Sequence, residues 1–554
     1  MNRQMHHSLA LAGAGGVFAR LRPRRLVRHT SPAPGRLSTT PPAFLAGDGA
    51  RAEALYSGVF TFGQTSVDAD GVSIFEKPAP DPYWAAQLHG FSFLADLAAA
   101  ETALARAFAR ALVEDWAAAR RPRAAHRPAT TARRLINWLT YAPILLIDAD
   151  PAFATRFLRL LDKESLRLKR RLPFMAFGLP RVLSGIALVQ SALCLDDPRL
   201  VASASGRLAA DLPRMILPDG GPATRNPRDL LVLTLDLLAL RESFLRRDAP
   251  PPGALLKTLD RIWPMLRALR HADGTLALFN GMGTTDRDLL ETALSLDDAR
   301  GRAVLNAPHS GYQRLEGRNA VLVMDCGRAP PPGMSGEAHA GTLSFEFGTR
   351  AGRLIVNCGA PDGGSPDRRR AARAAAAHST AVPGEASPAR YLALPLPGRL
   401  LDHPLRSGPR AVDIAREDGP DATLLRASHD GHARRFGLVH ERTLRLSADG
   451  SLLEGADVLK AAPGRRAKPA GIRLAFHLHP DLRAQPLEDG RSIALLLPDD
   501  DLWVFSAEDH PIALEESVFF ADPAGPRRSA QIVIRPGGGP GARVTWSLRR
   551  SAPD

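Results

Sequence analysis

Cysteine is scarce in this 554-residue chain: Cys194, Cys326 and Cys358 are the only three. They make no CxxC pair and no disulfide framework, and their apolar surroundings predict three buried thiols. Lysine is almost missing, limited to Lys77, Lys163, Lys169, Lys257, Lys460 and Lys468, so nearly all positive charge is arginine. Five tyrosines and six tryptophans leave few platforms for base stacking. With no zinc-finger spacing, basic zipper or aromatic RNA-binding signature, nucleic acid is not an expected partner. No apolar run reaches the ~20 residues of a membrane-spanning helix, so no integral membrane segment is expected. The charges that follow the weak apolar stretch 9–18 stand on the wrong side for a secretory signal, so no cleaved signal is expected.

What is present is an ordinary globular composition, 45% hydrophobic and 23% charged, with a net charge of +14. Such a surface attracts polyanions. The arginine bias, together with abundant Ala, Gly and Pro, is also what a GC-rich genome produces. The length predicts two or three domains. Residues 1–50 are Arg-, Pro- and Gly-rich with little periodicity and read as a poorly ordered leader. Residues 51–304 read as a helical domain, with segments at 91–118, 131–146, 152–170, 182–195, 202–216, 227–247, 255–270 and 289–294. Apolar residues there recur at three- and four-residue spacing. Pro227 suits the first turn of its helix, with Asn226 as N-cap. Successive antiparallel helices predict an α-solenoid or an incomplete α/α toroid.

From residue 305 to 554 the helical period gives way to short β-type runs separated by Gly, Pro and Asp turns. Examples are 320–326, 343–347, 353–357, 438–447, 472–479 and 543–548, and Ser447-Ala448-Asp449-Gly450-Ser451 reads as a hairpin turn. Strands without intervening helices predict an antiparallel β-sandwich. In this region His339 precedes a strand in which Leu343, Phe345 and Phe347 alternate with Ser344 and Glu346. The next strand closes at Asn357, and His378 follows an Arg- and Ala-rich insertion that reads as a loop. Two histidines and an asparagine on consecutive elements can converge on one ion or one anionic ligand.

Four stretches, taken in order, resemble the heparinase II/III family of polysaccharide lyases. They are Thr131-Ala132-Arg133-Arg134-Leu135-Ile136-Asn137-Trp138, Leu217-Pro218-Asp219-Gly220-Gly221, Ser310-Gly311-Tyr312-Gln313-Arg314-Leu315 and the run from Gly336 to Phe347. The resemblance runs from about residue 80 to the end. It implies an α/α toroid followed by a β-sandwich, and β-elimination on an acidic, uronic-acid-containing polysaccharide in the cleft between them. That chemistry needs a neutraliser for the uronate, a base and an acid. The resemblance also implies a structural zinc at His339, Asn357 and His378, with asparagine standing where the family has aspartate, and no organic cofactor. A hydrogen-bonded pair bracing the sheet is the other reading of the two histidines. Where the family carries a second histidine, this chain has Glu337, and the family's toroid tyrosine falls near Asp229. Candidate catalytic residues are therefore Tyr312, Glu337 and His309, with Arg225, Asn226, Arg181 and Asn280 as candidate substrate-binding residues. Two further readings keep the fold: an acidic-glycan-binding protein without cleavage, and a hydrolase using Glu337 with Asp229. His440-Glu441-Arg442 and His477-Leu478-His479 read as exposed or cross-strand polar pairs. The family places the chain in the cell envelope or periplasm, whereas the N-terminus fits the cytoplasm.

Overall fold

A computed structural model of the chain describes residues 35–44, 47–297, 301–392 and 404–551, so most of the expected leader lies outside the described residues. The chain divides into two compact units. One gathers the residues up to Met215 with Val232–Asp260, and the other gathers Ile216–Leu231 with everything from Arg261 onward.

The first unit is helical, and its helices bury the apolar stripes that the sequence spacing marks. Pro128–Thr140 starts on a proline and turns Leu135, Trp138 and Leu139 inward. Leu179–Cys194 is buried along almost its whole length. The core holds a charge: Arg134 is fully enclosed, ion-paired to the buried Glu164 and stacked over Trp116 and Trp138, 4.2 and 5.6 Å from the ring centres. Its guanidinium also donates to the carbonyls of His89 and Ala125, at 2.8 and 3.0 Å. The helix expected across 91–118 is interrupted. Phe91 takes a left-handed conformation that ends Pro82–Gly90, and the Thr102 hydroxyl caps Ala103–Ala118 by accepting from Ala105 N at 3.0 Å. The one expected across 131–146 breaks at Tyr141, where a second short helix begins ahead of Pro143.

The second unit is built on two antiparallel sheets. One has nine strands, and its central members Tyr312–Glu316, Ala320–Asp325, Phe345–Thr349 and Arg353–Val356 pair in succession. The other has eight, including Ala422–His429, Leu438–Ser447, Leu452–Ala461 and Ala542–Arg550. Strand Leu438–Ser447 alternates buried and half-buried positions, the period-two signature of a strand with one face on a core. Leu322, Phe345, Phe347, Phe476, Trp503, Phe505 and Trp546 belong to one apolar core, in which the Phe345 and Trp546 rings stack 5.6 Å apart. Helical residues followed by an antiparallel sandwich is thus the fold the sequence predicts. All three cysteines are free and buried. Among the described residues no helix is long and apolar enough to cross a membrane.

One local expectation resolves and another changes. His440 and Arg442 point into the protein rather than to solvent, and the strand register sets Arg442 opposite Asp457, so of the two readings the cross-strand polar pair is the one that holds. Asp457 accepts from Arg442 Nε at 2.8 Å and from Trp546 Nε1 at 2.9 Å, and lies 2.7 Å from His440 Nε2. The Arg- and Ala-rich insertion is not all loop: Pro366–Arg373 is a helix capped by Ser365 Oγ.

Candidate functional site

The candidate residues of the sheet-rich unit gather around one turn. In Phe279-Asn280-Gly281 both Asn280 and Gly281 have positive φ, +49° and +98°, a backbone that Asn tolerates and Gly adopts freely. The turn presents the Asn280 side chain inward. Its Nδ2 donates to Tyr312 Oη and to Asp325 Oδ2, each at 3.2 Å, and its Oδ1 accepts from His339 N at 3.2 Å. The Tyr312 hydroxyl donates to the Arg225 carbonyl. The Arg225 guanidinium is spent as well: Nε donates to Ser310 O at 2.7 Å, Nη1 to Arg328 O at 3.1 Å, and Nη2 is ion-paired to Asp325. Asn280, Tyr312, Arg225 and Asp325 are all buried. Burial raises the Tyr312 hydroxyl far above its ordinary pKa, so it remains a phenol whose proton is committed to a carbonyl.

His339 and His378 face each other, with Nδ1 of the first 3.1 Å from Nε2 of the second. His378 Nδ1 lies 2.7 Å from the Ala374 carbonyl and therefore carries its proton, which leaves Nε2 as the acceptor. Burial lowers both pKa values, so both rings are neutral. A tetrahedral zinc would hold two such nitrogens about 3.3 Å apart, so the pair alone has a suitable span. The third position does not fit. Asn357 Oδ1 is taken by Ser379 N–H at 3.0 Å, while its Nδ2 is buried without a hydrogen-bond partner. Among the described residues no three His, Cys, Asp or Glu side chains are arranged to hold a metal ion. Two neutral nitrogens and an amide offering hydrogens give a cation no anionic ligand, and no chemical step below runs through a metal.

A second group of polar residues lies on the other side of the turn. Asn226 Oδ1 accepts from Arg228 N at 2.9 Å, capping helix Pro227–Leu245 as its sequence predicts. One turn on, Asp229 is half-buried but ringed by protein. Burial pushes its carboxyl up to about 6 and the Glu337 charge adds to the shift, while a hydrogen bond from Thr224 and the Arg228 charge act against it. Glu337 is paired with Arg369 at 2.8 Å and keeps 45% of its side chain exposed, so it stays accessible. Gly281 makes room for these groups. A Cβ there would stand 2.9 Å from Glu337 Cβ and 3.0 Å from Asn226 Nδ2. Asn226 and Glu337 thus meet at Gly281, and Asp229 feels the Glu337 charge: an amide, a carboxyl that titrates near pH 6, and an accessible acid lie close together.

The other candidates are placed differently. His309 is exposed, and its backbone N–H donates to Asp219 at 2.8 Å. Arg181 belongs to the helical unit, where Nε donates to Asp211 at 2.7 Å and Nη1 to the Met175 carbonyl at 3.1 Å.

Comparison with known proteins gives the lineage. Residues 299–547 match the family described as heparinase II/III-like, C-terminal. FtsZ-localized protein C of Caulobacter vibrioides (strain NA1000 / CB15N) is 32% identical over 560 residues, an alignment that takes in 96% of this chain and 92% of that protein. The chain belongs to the heparinase II/III-like family. Crystal structures of two lyases share the fold. Heparinase III superposes with a TM-score of 0.75 at 12% identity, over 100% of this chain and 91% of its own. A mutant of the heparan sulfate lyase HepC from Pedobacter heparinus gives 0.60 at 14%, over 99% and 89%. This heparinase-like chain is therefore a polysaccharide lyase-like protein by family and by fold, an α/α toroid followed by a β-sandwich.

Two residues of the network escape a reading of motifs. Asp325 closes an apolar strand, and its partnership with Arg225 is set by the register that places it opposite Tyr312. Glu346, also fully buried, sits 2.9 Å from His271 Nε2 and accepts the backbone N–H groups of Leu278 and Asn357, tying the Asn280 turn to the histidine strand. The available signal for both was an acid within a strand that is otherwise apolar.

Proposed function

We propose that this protein cleaves an acidic, uronic-acid-bearing glycan by β-elimination, with Asn226, Asp229 and Glu337 at the reacting centre. The observation that carries this reading is the pair of neighbouring carboxyls, one of them held near pH 6, beside an amide donor that approaches Glu337 closely because Gly281 carries no Cβ. Below that pH Asp229 is a neutral donor, and with Asn226 Nδ2 it can hydrogen-bond the uronate carboxylate. Charge that develops there as the adjacent carbon loses its proton is then stabilised. Glu337, paired with Arg369, takes the proton and returns it to the leaving glycosidic oxygen as the carbon–oxygen bond breaks. Tyr312, Arg225 and Asn280 hold the turn in place rather than touch the sugar. Above about pH 6 Asp229 ionises, the donor is lost, and two carboxylates repel the uronate.

Heparan sulfate, chondroitin sulfate, alginate and bacterial exopolysaccharides incubated with the protein at pH 5 should include one substrate. Its cleavage gives ultraviolet-absorbing unsaturated uronate ends, with a rate that falls as pH rises through 6. Asp229→Asn is expected to flatten that pH profile and Glu337→Gln to abolish turnover; unsaturated product formed equally well by both variants would sink the reading. Hydrolysis by the same two carboxyls is the second reading, favoured by one carboxyl of raised pKa next to a second one paired with an arginine. New reducing ends without unsaturated product would decide for it. We also extend the FtsZ-associated placement of the Caulobacter relative to this chain. A fluorescent fusion should coincide with FtsZ in dividing cells, and a signal indifferent to FtsZ depletion would refute that placement.

A further inference from the structure

The sheet-rich unit carries a second concavity, a groove of about 820 Å³, to which none of Asn226, Asp229, Asn280, Gly281 and Glu337 contributes. Arg267, Arg270, Arg302, Arg314, Arg318 and Arg350 line it, and Glu316 is its one carboxylate. Three of the six guanidinium groups are already answered: Arg267 by Asp297, Arg270 by Glu291 and Arg314 by Glu316. Arg314 is also fixed as part of the floor, donating to the carbonyls of Ala268 and Arg270 at 3.0 and 2.8 Å. Arg302, Arg318 and Arg350 are exposed and make no ion pair among the described residues. Among the described residues, six arginines against three paired carboxylates leave Arg302, Arg318 and Arg350 without an ion pair around one hollow, and Arg350 also borders a neighbouring hollow with Asp449, Asp499 and Asp501.

We infer that this groove binds the anionic groups of an acidic glycan chain outside the reacting centre, an inference whose ligand class rests on the reading above. Planar guanidinium forks match carboxylate and sulfate oxygens two at a time, and three open forks around one concavity suit a ligand with several anionic groups in series. Among the described residues no Phe, Tyr or Trp lines the groove, and its His271 ring is buried against Glu346, so it offers little on which a nucleobase could stack.

The test is binding rather than turnover, made with the full-length chain carrying Glu337→Gln. End-labelled heparan sulfate and alginate oligosaccharides are titrated by fluorescence anisotropy at low and high salt, with a neutral oligosaccharide and poly-glutamate as further probes. Adding Arg302→Ser, Arg318→Ser and Arg350→Ser together is expected to weaken binding of an acidic oligosaccharide roughly tenfold to a hundredfold and to remove most of its salt dependence. The melting temperature should hold, because all three side chains are exposed. Unchanged affinity in a folded triple variant overturns the inference, as does binding of poly-glutamate alone, which would make the groove a site for acidic peptide. Arginine-dependent glycan binding, in a chain whose unsubstituted form yields no unsaturated product, would uphold the groove and bring down the elimination mechanism by itself.

Discussion

Mild acid should destabilise the sheet-rich unit, and the size of the effect follows from histidines that the fold keeps neutral. Burial above all holds His432 and His477 near pKa 3, against an ordinary 6.5. His477 is locked in that state, with Nε2 3.0 Å from the Ala376 carbonyl and Nδ1 2.8 Å from Ser517 Oγ. As pH falls below 6.5 the unfolded chain takes up protons that the folded chain refuses, so the stability present above 6.5 is progressively lost. At pH 5 the gap is ~1.5 pH units for each ring, or ~2 kcal/mol each and ~4 kcal/mol for the two. Asp229 acts in the opposite sense. Its raised pKa lets the folded state bind a proton first, which returns ~1 kcal/mol between pH 7 and 5. The net loss is ~3 kcal/mol before His339, His378, His429 and His440 are counted, all of them lowered by burial too. At ~2–4 °C per kcal/mol this is a drop of roughly 10 °C in melting temperature from pH 7 to pH 5. Scanning calorimetry across that interval measures it, and His477→Gln should remove ~2 kcal/mol of the pH dependence. A melting temperature that stays level between pH 7 and 5 would refute the reasoning.

Asp325→Ala should cost about 3–5 kcal/mol in a urea titration, because it strands the buried Arg225 guanidinium without a counter-charge; a loss below ~1 kcal/mol would mean that the carbonyls of Ser310 and Arg328 suffice. Gly341→Ala would place a Cβ 2.4 Å from His378 Cδ2, and should destabilise by about 1–3 kcal/mol. Gly206→Ala, a helical site with open space around it, should instead stabilise slightly. Asn357→Asp supplies the missing anionic ligand between His339 and His378, and should raise zinc affinity at least ~tenfold over the unsubstituted chain. Equal affinities by calorimetric titration would contradict the account of Asn357 as the misfit.

Much of the fold is legible because its signals are local. Leu438–Ser447 alternates along its whole length, Asn226 and Pro227 open a helix, and the turn at Ser447–Ser451 closes where Asp449 accepts from Ser447 Oγ and Ser451 N. The helix Pro366–Arg373 is obscured by its charge, since four arginines in eight residues mask a start marked by Ser365 and Pro366. The candidate site is harder to read, because its contacts are long-range. Arg225 and Asp325 are 100 residues apart, and nothing near either shows that each neutralises the other. Arg225 looks free to hold a substrate carboxylate for the same reason that Tyr312 looks free to act as a base: partners supplied by register and by turns leave no local trace. Arg442 shows this from the other side, as a strand arginine whose burial only the opposite Asp457 explains.

The short segment Ile216–Leu231 keeps company with residues beyond 260 although a helical stretch separates them in the chain. It brings Arg225, Asn226 and Asp229 with it, so the polar machinery of the sandwich is written partly in a passage that precedes the sandwich's own first strand. A gene fragment beginning at the first β-strand would encode most of the apolar core yet leave Asp325 without its arginine and Glu337 without its carboxyl neighbour. Recombination that shuffled the β-region as a free-standing cassette would break its site each time. The site of such a chain is therefore complete only when both stretches lie in one polypeptide.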